Sequence, residues 1–417
     1  MRGLNIAIAG CGPCGLAAAL LLHRAGHEVT LFDRFDTALP IGSGLMIQPT
    51  GMAVLGQLGL LDDVLQRGSR IDRLFGKARE RVVLDVHYAA LRDRNAFGIG
   101  IHRATLFAIL HEAVVQSGIA VHTGRTLVDS ESVGARRALR FADGETSIPY
   151  DLVVDALGTR TPLAPPTGRE LAYGALWASL DWPQEEGFDP HALAQRYDRA
   201  SIMAGVLPIG TPPGPTAPKA AFFWSLRADR LDDWHRARLA PWKARVAALW
   251  PECAPLLDQI HDPDQLTFAR YAHRTLRSPA EPALVHIGDA WHSASPQLGQ
   301  GANMALLDAW ALSKGLAEAN DVEQGIRLAI KLRRRHVLTY QWLTALFTPV
   351  YQSDSRLLPL IRDRLVGPLS KLWPATAIQA AMVSGLVASP LGPLGLAQTH
   401  QAPVSADNME GRTGRRG

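Results

Sequence analysis

Asn5-Ile6-Ala7-Ile8-Ala9-Gly10-Cys11-Gly12-Pro13-Cys14-Gly15, followed by Leu16-Ala17-Ala18-Ala19-Leu20-Leu21-Leu22, decides the fold. The first five residues are a short apolar run suited to a buried parallel strand, and the stretch after Gly15 is a strong helix former. The glycines fall on the turn between them. Gly10 permits a tight turn, Gly12 lets backbone approach a pyrophosphate with no side chain in the way, and Gly15 allows helix and strand to pack closely. A helix N-terminus at this place suits a phosphate. Glu28-Val29-Thr30-Leu31-Phe32 reads as a second strand and ends at Asp33. That carboxylate stands about 18 positions past Gly15, close to where a dinucleotide-binding fingerprint carries an acid for a ribose hydroxyl. Together these features indicate an α/β chain that opens with a dinucleotide-binding unit.

The same turn offers a competing motif. Cys11-Gly12-Pro13-Cys14 is a Cys-x-x-Cys pair of the thioredoxin-like kind, and Cys14 lies near a helix start that would lower its pKa. A pyrophosphate bound to the glycine framework would crowd thiol chemistry, which favours two small side chains in a tight loop. Cys253 is the only other cysteine, so 417 residues carry no disulfide framework, and this suits a reducing compartment.

Composition narrows the class further. With 47% hydrophobic and 20% charged residues the chain is an ordinary globular protein of two domains or one large one. The net charge is only +4, and Gly411-Arg412-Thr413-Gly414-Arg415-Arg416-Gly417 supplies three of the positive charges, so nucleic acid is not an expected partner. Lys331, Arg333, Arg334 and Arg335 read as a solvated helix face rather than a nucleic-acid patch. The opening residues go straight into a strand and lack the succession of a signal peptide, which points to the cytoplasm. Leu372 to Ala406 contains no Lys, Arg, Asp or Glu. Pro374, Pro390 and Pro393 interrupt it and leave Ala375 to Ala388 too short to span a bilayer. A helix packed on the body is favoured there, with peripheral membrane contact as the alternative. No metal site is expected.

The organisation is interleaved. Leu45 to Pro49 reads as a strand, Thr50 to Leu61 as a helix, Arg81 to Tyr88 as a half-buried strand, and Arg103 opens a helix to Gln116. Ala120-Val121-His122, Leu139-Arg140-Phe141 and Asp151 to Ala156 are further strands, so the first domain is unfinished by residue 150. Residues 171–276 change character, with Trp177, Trp182, Trp224, Trp234, Trp242 and Trp250 and a proline-rich loop from Pro208 to Pro218. Ala283-Leu284-Val285-His286-Ile287-Gly288-Asp289 returns to the buried-strand style, and Ala302 to Leu316 follows as its helix. The expected division assigns 1–74, 98–170 and 277–345 to a Rossmann-like nucleotide-binding domain. It gives 75–97 and 171–276 to a smaller sheet-bearing substrate domain, and 346–417 to a helical C-terminal region with a flexible tail.

Several segments now carry a resemblance. They are the glycine loop with Asp33-Arg34, Gly42-Ser43-Gly44-Leu45-Met46-Ile47-Gln48-Pro49, Arg103 at a helix start, Asp151 to Gly158, and His286 to Asn303. In this order they resemble the single-component flavoprotein monooxygenases of the para-hydroxybenzoate hydroxylase type, which include polyprenyl-phenol hydroxylases. The resemblance covers roughly residues 1–340. It implies that the glycine loop and the Gly288–Asn303 stretch hold the two ends of one FAD. Cofactor contacts are then expected at Gly10, Gly12, Gly15, Asp33, Arg34, Gly44, Arg103, Gly158, Asp289, Gly299, Gln300, Gly301, Ala302 and Asn303. Asp289 would accept from ribityl or ribose hydroxyls and Arg103 would fork onto a phosphate. The Gly299–Asn303 helix start would lie beneath the flavin pyrimidine edge, where reduced flavin carries negative charge. The implied reaction has NAD(P)H reduce FAD, O2 add to give a flavin hydroperoxide, and one oxygen atom pass to an electron-rich ring or alkene. No second glycine fingerprint is visible, so the nicotinamide would visit transiently.

Catalytic candidates are His292, Gln48 and Pro296. His292 suits an acid or base or a structural hydrogen bond, Gln48 lies on a strand aimed at ring and substrate, and Pro296 would sit near the reactive face. Trp177, Trp224 and Trp291 are candidate walls for a flat apolar substrate, although tryptophans of this kind also build cores. The expected partners are a small molecule and O2, and the expected assembly is a monomer or homodimer. One departure stands out: Asp155-Ala156-Leu157-Gly158-Thr159-Arg160 replaces the usual Gly-Ala-Asp-Gly and resembles halogenases and geranylgeranyl reductases. Leu157 is either a change in nicotinamide handling or a buried strand end. No Trp-x-Trp-x-Ile-Pro stretch supports a halogenase, and a reductase or cyclase of isoprenoids is the remaining alternative, with a flavin-bound scaffold more remote.

Overall fold

The computed structural model describes residues 3–36, 43–183, 187–214, 216–366 and 372–397. The C-terminal tail whose flexibility was expected, and Gly42 of the quoted segment, lie outside these residues.

Asn5–Ala9 is apolar on both faces because it has a parallel neighbour on each side. Ile8 sits opposite Leu31 of strand Glu28–Phe32 and opposite Val154 of strand Leu152–Asp155. The sheet runs Ala280–Glu281, Leu284–His286, Leu152–Asp155, Asn5–Ala9, Glu28–Phe32, Ala120–His122, and only the outermost hairpin at Ala280 is antiparallel. The chain builds outward from Asn5–Ala9 through Glu28–Phe32 and then returns to its other side at Leu152. A topological switch point therefore falls between Asn5–Ala9 and Leu152–Asp155, and the crevice beyond their carboxyl ends is where such sheets take ligands. Helices Pro13–Arg24, Gly301–Glu318 and Arg103–Gln116 cover the sheet, with Leu16, Leu20, Leu306 and Leu312 fully or almost fully buried between them.

A seven-stranded sheet forms the second layer. Its order is Thr267–Ala269, Tyr173–Asp181, Lys219–Arg227, Ile202–Pro208, Ala192–Asp198, Arg73–Ala78, Arg81–His87. Two of its strands thus come from before residue 100, with Arg73–Ala78 parallel to Ala192–Asp198. Trp242 meets Phe222, Trp224 and Trp234 edge-on in the core beneath its flanking helices. Another cluster, including Met46, Tyr88, Leu207 and Ile209, fills the space toward a small sheet of Gly44–Ile47, Gly98–His102 and Ser69–Ile71.

Helix Val322–Tyr351 is 30 residues long, about 45 Å, and packs along Gly301–Glu318. The chain then folds back as helix Ala375–Val383, whose Ala380 and Val383 join the Met46–Tyr88 cluster. Among the described residues no helix is long and apolar enough to cross a membrane.

Candidate functional site

At the glycine loop, protein and open space divide the three glycines. A Cβ on Gly10, whose φ is +104°, would lie 2.6 Å from the Ala156 carbonyl oxygen, and one on Gly15 would lie 1.9 Å from that of Gly10. These two are needed to close the turn. A Cβ on Gly12 would meet nothing within 4 Å. Gly12 is the N-cap of Pro13–Arg24, and no side chain caps that helix. Its first N–H groups face an opening, which is the cradle an anionic pyrophosphate requires.

Asp33 Oδ2 accepts from Cys11 N at 2.6 Å and Oδ1 from Arg34 N at 2.7 Å. The carboxylate braces the loop and keeps lone pairs for a hydroxyl. Arg34 is exposed. The cysteines pack as small side chains, as favoured over the redox motif: Cys14 is buried, its thiol donates to Ala305 O at 3.3 Å, and burial pushes its pKa up, the reverse of what a reactive thiol needs. Cys11 is raised for the same reason.

The second motif meets the first. A Cβ on Gly288 would fall 2.9 Å from Cys14 Sγ, so the chain around Gly288–Asp289 lies directly against the glycine loop. Asp289 is accessible, yet protein encloses it enough that desolvation raises its pKa, against the pull of His292 and Arg103. An acid in such a recess is suited to accept hydroxyl hydrogen bonds. Gly299, at φ +60°, and Gly301 open the helix Gly301–Glu318, which lacks a side-chain cap, and Ala302 is half-buried in its first turn. A Cβ on Gly301, as on Gly158, would meet nothing within 4 Å. Both ends of the expected cofactor thus face uncapped helix starts and open backbone, and the residues present fit FAD.

Other expected contacts offer no free side chain there. Asn303 is fully buried and spends its amide on protein: Oδ1 accepts from Gln48 N at 2.8 Å, and Nδ2 donates to Met46 O and Gly299 O. Gly44 is a packing glycine whose Cβ would strike Ile209 Cγ2 at 2.2 Å. Gln300 turns its Nε2 to Val383 O at 2.5 Å and leaves Oε1 buried without a partner. Trp224 belongs to the core of the substrate layer and Trp291 to another core with Met304, Val337 and Tyr340, so neither forms a substrate wall. Trp177 is half-buried, donates to Tyr271 OH at 3.0 Å and borders the Met46–Tyr88 cluster.

Gln48 is fully buried at the junction of strand and helix start. Its Oε1 accepts from Tyr88 OH at 2.5 Å, while Nε2 has no partner and lies 4.0 Å from the position of a Cβ on Gly299. Pro296 is exposed one turn before Gly299. His292, by contrast, is 3% exposed and its Nε2 stands 2.6 Å from Asp308 Oδ2, so it has no path to a substrate.

That bond opens a network the sequence reading missed. Asp308 also accepts from Gly288 N at 2.9 Å and Arg333 Nε at 2.7 Å. Burial opposes its charge, but His292 and Arg333 prevail and hold its pKa at about 2. Arg333 NH1 donates to His336 Nδ1 at 2.9 Å, and an arginine can only donate. His336 must therefore carry its proton on Nε2, which donates to Gly385 O at 2.9 Å. Burial first, and the Arg333 charge second, depress its pKa to about 3. Arg333 is 1% exposed, which corrects its assignment to a solvated face. The available signal was Asp308, a lone carboxylate in an apolar helix, which demands a buried cation.

Leu157 packs against the cluster around Leu139 and Phe141, and its N–H donates to Asp155 Oδ1 at 3.0 Å. Asp155 also accepts from Thr161 Oγ1 and contacts His286 Nδ1, both at 2.7 Å. A carboxylate substrate would need an arginine clamp; Arg227 is paired with Asp229 and Asp354 and Arg270 lies over Phe268, while Arg274 gives NH1 to Thr159 O and keeps Nε and NH2 buried without a partner.

Comparison with known proteins agrees with this geometry. A family model described as FAD binding domain matches residues 4–327. The chain is 26% identical over 345 residues to a putative 2-heptyl-3-hydroxy-4(1H)-quinolone synthase of Rhodococcus erythropolis, covering 81% of this chain and 86% of that protein. It is 25% identical over 337 residues to 6-hydroxynicotinate 3-monooxygenase of Pseudomonas fluorescens, covering 75% and 83%. Among solved structures, Klebsiella pneumoniae HpxO complexed with FAD and uric acid superposes with a TM-score of 0.77 at 18% identity, over 94% of this chain and 99% of that one.

Proposed function

The chain belongs to the FAD-binding-domain family, and from that premise we propose that this FAD-dependent monooxygenase hydroxylates a flat, apolar, electron-rich ring. The observation that supports the substrate class is the apolar character of the packing between the two layers. Met46, Leu207, Ile209, Ala380 and Val383 are buried there, and Tyr88 OH and the Gln48 amide are the polar groups beside them. A substrate seated against such side chains would be a mostly apolar ring oriented by one or two hydrogen bonds. The Pseudomonas fluorescens relative is named as a 3-monooxygenase of 6-hydroxynicotinate, a ring substrate that carries a carboxylate.

Bound FAD, reduced by NAD(P)H, supplies the oxygen-transfer chemistry. The chain's own part is positional. Gly12 and the first turn of Pro13–Arg24 would hold the pyrophosphate, Asp33 and Asp289 would accept ribose and ribityl hydroxyls, and Arg103 would add a cation beside Asp289. The N-terminus of Gly301–Glu318 would offer its positive dipole end to the flavin. Gln48 Nε2, a buried donor with no protein partner, is directed to a carbonyl of ring or substrate. His292 acts indirectly, by fixing Asp308 and through it the Gly288 backbone. The helix Ala375–Val383 excludes water from the apolar side. The split into a nucleotide-binding domain, a substrate domain and a C-terminal region accounts for the two large sheets, and the three buried, unpaired cysteines favour the reducing cytoplasm.

The test is turnover under 18O2 with matched aromatic substrates that do or do not carry a carboxylate. One labelled oxygen per product, with preference for the neutral member, is the expected result. Preference for the acid, lost on replacing Arg270 or Arg274, overturns the apolar substrate, and substrate reduction without label overturns the oxygenase.

A further inference from the structure

Helix Val322–Tyr351 carries one continuous outward stripe. Arg327, Lys331, Arg334, Arg335, Leu338, Trp342 and Leu346 recur at three- and four-residue spacing and share one side. The stripe runs about 28 Å. Its first half is cationic and its second half apolar. From Gln324 to Tyr351 the helix has no acidic residue. Arg327 pairs with Glu323 at its start, while Lys331, Arg334 and Arg335 form no ion pair among the described residues. They line a groove with Arg277, whose carbonyl accepts from Arg334.

The apolar half continues into the chain that follows. Of the thirteen large hydrophobic side chains exposed on the described surface, nine fall between residues 338 and 378. Trp342 is 64% exposed, Trp373 84%, Leu357 64% and Leu372 60%. Helix Leu357–Ile361 and the end of Ala375–Val383 both pack against Val322–Tyr351, so these exposed side chains sit on neighbouring elements, the concentration expected of an interaction surface. Helix Ala375–Val383 divides its faces between the two environments: Ile378 points outward, while Ala380 and Val383 lie in the internal apolar cluster.

We propose that this face docks the protein on an anionic lipid bilayer, with Trp342, Trp373 and their leucine neighbours at the headgroup boundary and Lys331, Arg334 and Arg335 against lipid phosphates. Charge decides between this occupant and a second copy of the chain. A two-fold self-contact brings a patch against itself, which would set this cationic half opposite itself or opposite bare leucines. A surface of acidic lipids offers both halves what they lack, and exposed tryptophans beside cations are the composition of an interfacial helix.

The test is co-sedimentation of the full-length, FAD-loaded protein with vesicles of phosphatidylcholine alone and of phosphatidylcholine with phosphatidylglycerol. Partition onto the anionic vesicles, weakened by salt, is expected. Trp342→Glu and Trp373→Glu should each abolish it. The pair Lys331→Glu and Arg335→Glu should weaken it at least about 30-fold, since each cation near such a surface is worth about fivefold. Retained flavin absorbance in each variant reports an intact fold. Absence of partition, or partition unaffected by the charge reversal, overturns the proposal. So does a concentration-dependent oligomer in sedimentation velocity that Trp342→Glu dissolves while vesicles bind nothing. No substrate enters the measurement, so its failure leaves the monooxygenase reading intact.

Discussion

Gly12 and Arg333 show how differently a single side chain can matter. Gly12→Val adds atoms to a place where the protein has none within 4 Å of a Cβ, so the chain should fold and melt as before. The clash is with the pyrophosphate, and flavin retained after gel filtration should fall from about one per chain to near zero; unchanged occupancy would remove the loop from the cofactor site. Arg333→Met acts on the fold instead. It strips Asp308 of its permanently charged partner while the carboxylate stays buried, a loss of about 3–5 kcal/mol by urea denaturation. The same network sets the acid limb of stability. An unfolded imidazole takes a proton below about pH 6.5, whereas native His336 stays neutral down to about 3, so stability should drain away across that window as pH falls. Asp308, held at about 2, extends the loss below pH 4, since its contribution is complete above the unfolded carboxyl pKa and gone below the native one. His336→Gln should flatten the plot of melting temperature against pH between 6.5 and 3. A slope equal to that of the parent would dismiss His336 as its source.

Elements, rather than residues, decide what covers the site. Gln300 Nε2, His336 Nε2 and Tyr340 OH donate to the carbonyls of Val383, Gly385 and Met382, so the end of Ala375–Val383 and the turn after it are held by three hydrogen bonds, from the N-cap of Gly301–Glu318 and from Val322–Tyr351. Gly385 has φ +80° and its Cβ would lie 2.5 Å from Thr50 Oγ1 and 2.7 Å from Gln300 Oε1. Gly385→Val should therefore lift this segment while leaving the glycine loop untouched. The expected signature is retained FAD with more hydrogen peroxide released per NAD(P)H consumed; tight coupling in the variant would deny the segment a covering role. This cover was not legible in the sequence beyond its lack of charge, because apolar composition says that a helix is buried without saying against what. The strand, turn and helix at Asn5–Arg24 were legible, since their glycines answer to backbone geometry that only local sequence sets. Trp224 and Trp291 misled for the opposite reason: a tryptophan looks the same in a core and in a pocket wall, and only the sheet they pack on distinguishes the two.

For the whole molecule, Leu157 tests how the nicotinamide is served without a domain of its own. Its packing beside Leu139 and Phe141 argues that the residue closes a core, so Leu157→Asp should cost about 1–3 kcal/mol of stability and leave the stopped-flow rate of FAD reduction by NADPH unchanged. A faster reduction in the variant would instead assign the position to cofactor handling. The order of the parallel sheet has one more outcome, and it concerns time. Leu152–Asp155 lies in the middle of the finished sheet, yet its outer neighbour, Leu284–His286, is made about 130 residues later, after nearly the whole substrate layer has left the ribosome. Until then the growing chain carries an open, apolar strand edge beside a half-built nucleotide crevice, the kind of edge that recruits other chains. Synthesis of this protein is thus exposed to aggregation over about 130 of its 417 residues, and neither the chaperone demand nor the capture of flavin can end before residue 286 emerges.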